Sequence, residues 1–149
     1  MENSLKGLML SAGIIITCVI ISLGFYISRE ASNAAEAGAG KINELQAEFY
    51  ESSYTIYDGA TVSGSEVVNL IRKFADEGIG IKVVTKKSES FYLHKFNTSD
   101  GELLDGATLT YKSAQDVSKS NYINPTGRFE GAVVRDANDT ITGLIFTQE

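Results

Sequence analysis

The sequence predicts an α+β fold, with a long N-terminal helix packed together with a short helix on an antiparallel β-sheet. Three observations carry that expectation. An apolar run opens the chain, helix-forming residues extend it without a proline, and beyond Gly78 the apolar spacing changes from helical to alternating.

Leu8 to Ile27 is a stretch of twenty residues without a charge, dominated by Leu, Ile, Val, Met, Phe and Gly. At about 1.5 Å per residue a helix of that length covers roughly 30 Å, the depth of a bilayer's hydrocarbon core. Residues 8–27 therefore read as a transmembrane helix behind a leader-like segment, 1–7. A cleaved secretory signal is the competing reading, with Ala35-Glu36-Ala37 as its small-x-small site. The apolar core of such a signal spans only about 7–15 residues, which favours an uncleaved anchor. Lys6 precedes the span, and Arg29 after it is offset at once by Glu30. Lys6 and the amino terminus before the span leave a weak charge bias, by which the C-terminal domain is expected to be extracytoplasmic, on a single-pass protein of the cell membrane.

Residues 28–56 form a helix extension rich in Ala, Glu, Lys and Gln. Within it Ile42, Leu45 and Phe49 recur at three- and four-residue spacing, with Ser53 and Ile56 beyond them. They form a stripe expected to pack the helix on the domain that follows. Gly38 and Gly40 each cost about 1 kcal/mol relative to Ala, so a bend or frayed turn is expected there.

The remainder, 57–149, reads as an α+β extracytoplasmic domain. Tyr57-Asp58-Gly59 is a turn, and Ser63-Gly64-Ser65-Glu66 is a capping box that starts a helix through Val67, Val68, Leu70, Ile71 and Phe74, closed by Gly78. Alternation then predicts strands over 79–84 and 91–96, a turn at Ser99-Asp100-Gly101 and a strand over 108–112. A short helix is expected within 113–120 and a loop at Pro125. Two last strands, 129–135 and 140–146, are joined by Asp136-Ala137-Asn138-Asp139. Phe49, Phe74, Phe91, Phe96, Phe129 and Phe146 are the expected aromatic core.

Charge narrows the function classes. The whole chain carries 13 Lys and Arg against 19 Asp and Glu, and only Lys6 and Glu2 precede residue 28. The part beyond the span is therefore acidic, which argues against nucleic acid and anionic lipid headgroups as partners. Cys18 is the one cysteine and sits inside the apolar run, so the domain has no internal disulfide.

The residue types of catalysis are sparse. His94 is the only histidine, sits in an expected strand, and has no second histidine or cysteine to complete a metal set. Asp136, Asn138 and Asp139 share part of the spacing of a calcium loop, but neither its glycine nor its closing glutamate follows. Asp76-Glu77 reads as a solvated pair. No catalytic residue, metal, cofactor or small-molecule substrate is expected.

The first residues carry a more specific pattern. Met1-Glu2-Asn3-Ser4-Leu5-Lys6-Gly7 is a short polar segment ending in Lys-Gly directly before the apolar helix. It resembles the leader of type IV pilins and pseudopilins. The resemblance implies cleavage after Gly7, a mature chain beginning at Leu8, and one long helix packed on a small antiparallel sheet. Many members carry glutamate as the fifth mature residue, where this chain has Ala12.

Small residues on the helix point the same way. Gly13, Thr17, Gly24, Ser28, Ala31 and Ala35 would let neighbouring helices approach closely in lipid or in a filament core. The expected function is a non-enzymatic structural subunit of a membrane-rooted filament or secretion apparatus, a homo-oligomer or filament built through this helix. The alternative is a single-pass membrane-anchored binding or accessory module, for instance of a transport complex.

Overall fold

The computed structural model describes residues Met1–Glu149 as two units, Met1–Glu48 and Phe49–Glu149. The first is helix alone, the greater part of α1 (Glu2–Thr55), and none of its side chains is buried. The helix is continuous through Gly38 and Gly40, so no frayed turn breaks it there. Alanines and long straight-chain residues around the two glycines offset their cost.

The second unit contains the last turn of α1, then β1 (Thr61–Ser63), α2 (Gly64–Lys73), β2 (Gly80–Val84), β3 (Glu89–Tyr92), β4 (Lys95–Phe96) and β5 (Leu103–Leu104). It ends with α3 (Tyr111–Ala114), β6 (Arg128–Arg135) and β7 (Ile141–Gln148). The fold is α+β, as the sequence predicts. Ser63 caps α2, its hydroxyl accepting from the Glu66 N–H at 3.3 Å. The helix ends at Lys73 in a tight turn at Phe74, and Gly78 is not its left-handed cap.

The main sheet has the order β1-β6-β7-β2-β3 and is mixed, which corrects the antiparallel expectation. β2 and β7 run parallel, Ile81 opposite Leu144 and Val83 opposite Phe146. All other pairs are antiparallel. The physical reason is the C-terminal hairpin. β1, α2 and β2 form a crossover whose two strands are not neighbours, and β6–β7 inserts between them, so β7 lands beside a strand pointing its own way.

One sheet face carries Phe129, Val133, Leu144, Phe146, Ile81, Val83 and Tyr92, and packs with Val67, Leu70, Ile71 and Phe74 in a single apolar core. Burying each such side chain contributes about 1.5–3 kcal/mol. On the other face Gly80 lies directly opposite Gly143, and the Phe96 ring covers both. A Cβ at either glycine would enter the space of that ring. Phe91 packs edge-on against Phe96 at 5.5 Å and is only half-buried.

Two further expectations change. The stretch 108–112 is not a strand: Leu109 makes one parallel bridge to Tyr92, and the chain then coils into α3, shorter than expected. The alternation over 91–96 is broken at Leu93, whose φ of 66° turns the chain between β3 and β4. The closing hairpin forms as expected, with Asp139 at φ 63° in its turn.

Candidate assembly surface of the N-terminal helix

α1 is the one helix long and apolar enough to cross a membrane, and it lies near the N-terminus. From Leu8 to Ile27 every residue is exposed. Its serine and threonine hydroxyls are satisfied within the helix, as an apolar surrounding requires: Ser11 donates to Gly7 O at 2.9 Å, Thr17 to Gly13 O at 2.8 Å and Ser22 to Cys18 O at 2.8 Å. Polar side chains therefore do not disqualify the segment from lipid.

Lys6, Gly7 and Leu8 lie exposed in the first turns of the helix. Gly13, Thr17, Gly24, Ser28, Ala31 and Ala35 are exposed as well, and the space around Gly13 and Gly24 is open. The small residues thus lie open along the helix surface.

Ile42, Leu45 and Phe49 are exposed too, at 58%, 54% and 70%. The helix residue that enters the core is Tyr54, beyond the expected stripe. Its ring meets Phe74 edge-on at 5.0 Å, and its hydroxyl donates to the Glu77 carboxylate. Burial, and then the neighbouring Glu77 charge, push the Tyr54 phenol well above the usual range. On the same turns Glu51 accepts from Arg135 of β6 at 2.9 Å, and Asp139 flanks that guanidinium at 3.7 Å. The hydrogen bond to Glu51 holds the arginine's pKa up. Tyr54 was not among the expected core aromatics, and the Glu51–Arg135 pair, 84 residues apart, has no local signal.

His94 is exposed in the bend between β3 and β4. No three His, Cys, Asp or Glu side chains are arranged to hold a metal. An open cleft of about 450 Å³ lies between the Asp100–Leu103 and Asp136–Asn138 turns. Two of its acidic groups brace the turns: Asp100 accepts from the Asn97 side-chain amide and from the Glu102 N–H, and Asp136 from the Asn138 and Thr140 N–H groups. Thr142 is buried beneath and donates to Gly101 O at 2.7 Å.

Compared with known proteins, the chain matches no family model, no curated protein and no solved structure.

Proposed function

We propose that this chain is a non-enzymatic structural subunit of a membrane-rooted filament or secretion apparatus. Its N-terminal helix is the assembly element, and the acidic sheet domain is the surface presented outside the cytoplasm. The observation that carries the proposal is the first unit itself. A helix of this length leaves its apolar residues from Leu8 to Ile27 uncovered, and such a surface is stable only in lipid or against other helices. Lys6 and Gly7, placed directly before that run, supply the leader that a prepilin-type peptidase would remove.

Ala12, where many pilin-like subunits carry glutamate, favours a second reading. In that reading α1 is only an anchor, and the sheet domain serves as an accessory module of a membrane complex. Intact mass measurement on protein purified from its own cells separates the two. A mature chain beginning at Leu8 and recovered in polymer supports the subunit. A chain retaining Met1 to Gly7 that never polymerises refutes it.

A further inference from the structure

The exposed pair Ile42 and Leu45 belongs to a longer pattern. Counted in sevens, Ser28, Ala35 and Ile42 fall on one helix position, and Ala31, Gly38 and Leu45 on the position three residues later. Carried back into the span, the same count falls on Ile21 and Gly24, then on Ile14 and Thr17. This is a 3.5-residue seam of apolar and small residues, the spacing that holds two α-helices together in a left-handed supercoil.

Charge respects the seam. Through the first unit the charged residues, Glu2 and Lys6 before the span and Arg29, Glu30, Glu36, Lys41, Glu44 and Glu48 after it, all fall outside the two seam positions and outside the flank of Ser32, Ala39 and Gln46, with Lys6, Lys41 and Glu48 on the opposite flank. An arc of roughly 100° is thereby left without charge along the helix. Every residue of that arc is exposed. Beyond the span this arc is apolar or small and meets water, so packing it against a neighbouring helix would stabilise the segment.

We infer that a second copy of this chain lies along the seam, its helix parallel and in register. The inference rests on the proposed role of α1 as the assembly element and names its nearest partner. Copies anchored in one membrane through the same span point the same way and sit at the same depth, so identical seam residues meet without an offset. In that arrangement the flanks oppose Lys41 to Gln46, Ala34 to Ala39 and Ile27 to Ser32, and no like charges meet. Small residues face small ones from Gly24 to Gly38, which brings the backbones close as they leave the membrane. Such a contact is two-fold and closes on itself, so the pair is a building block. Growth of a filament would need a second, non-closing contact.

The test uses the full chain in its native membrane with Cys18→Ser and one new cysteine at a time. Ala31, Ala35, Ile42 and Leu45 represent the seam; Asn33, Ala37, Asn43 and Ala47 represent the other faces. All eight positions are exposed, so substitution leaves the core intact. After oxidation with copper phenanthroline, disulfide-linked dimer is expected several-fold more strongly from the seam positions than from the others. Equal yields at all positions, a maximum on the other faces, or seam cysteines linked only to a different protein would overturn the inference. Seam dimers from a chain that keeps Met1 and forms no polymer would sustain the pair while removing the filament. Polymer of chains beginning at Leu8 without seam dimers would do the reverse.

Discussion

Phe96 seals the second face of the sheet only because Gly80 and Gly143 present no side chain beneath it. Phe96→Ala is expected to cost about 3–5 kcal/mol, and Gly143→Ala about 1–3 kcal/mol by overpacking. The two should not add. With the ring gone the new methyl group has room, so the second substitution should cost less in the Phe96→Ala background; urea denaturation of the four proteins measures the coupling, and additivity would disprove the contact. Tyr54 acts through its proton. Its folded-state pKa lies above the ordinary 10.0, so the folded domain holds that proton more tightly than the unfolded chain does. The resulting stability is fully present below about pH 10 and is lost as pH rises toward the folded value. Tyr54→Phe should cost about 1 kcal/mol at neutral pH through the lost bond to Glu77 and should flatten the alkaline fall. Flattening is only partial, because burial raises Tyr57 and Tyr92 as well. Stability followed by chemical denaturation from pH 8 to 12 provides the check.

Among the elements, the loop carrying α3 is fixed to the sheet by a buried polar knot. Asn121 Nδ2 donates to the Tyr92 hydroxyl at 3.1 Å and to Ser113 Oγ at 2.7 Å, while Tyr92 donates back to the Asn121 carbonyl at 3.1 Å. Asn121→Ala leaves Ser113 without that donor and is expected to cost about 1–3 kcal/mol, read as a lower unfolding midpoint at an unchanged denaturant slope. Nothing in the sequence announced this knot, because its members are 29 and 8 residues apart. What could be read was local. The Ser63 cap, the alternation of β2 and the Asp136–Asp139 turn each declare themselves within a few residues. Period two tells which face a side chain takes and not which strand lies alongside, so the β2–β7 pairing stayed hidden. One hint was present. Ile141, Leu144, Ile145 and Phe146 are more continuously apolar than an edge hairpin requires, as suits a strand between two neighbours. Spacing identified Ile42, Leu45 and Phe49 as one apolar face, but periodicity names no partner; the helix residue inside the second unit's core is Tyr54.

At the scale of the molecule, every residue of the apolar core lies between Tyr54 and Phe146, inside the second unit. A fragment spanning 49–149 is therefore expected to fold alone and stay soluble without detergent, with dispersed amide resonances; an unfolded or aggregated fragment would contradict the division. The first unit makes a separate prediction that magnitudes can settle. Leu8 to Ile27 contains eleven Leu, Ile, Val and Phe residues. At about −0.3 to −0.6 kcal/mol each they favour insertion by roughly 3 to 7 kcal/mol, whereas one lysine near the helix centre opposes it by about 2.5–3.5 kcal/mol. Ile16→Lys alone should weaken membrane association and leave part of the protein in the membrane fraction. Ile16→Lys combined with Ile20→Lys adds about 5–7 kcal/mol of opposition and removes two favourable residues, so the balance reverses. Quantitative fractionation should then find the double variant outside the membrane, while Ala37→Lys with Ala47→Lys, beyond the span, remains within it. A double variant that stays in the carbonate-washed membrane pellet would mean that something other than lipid solvation of residues 8–27 holds the chain there.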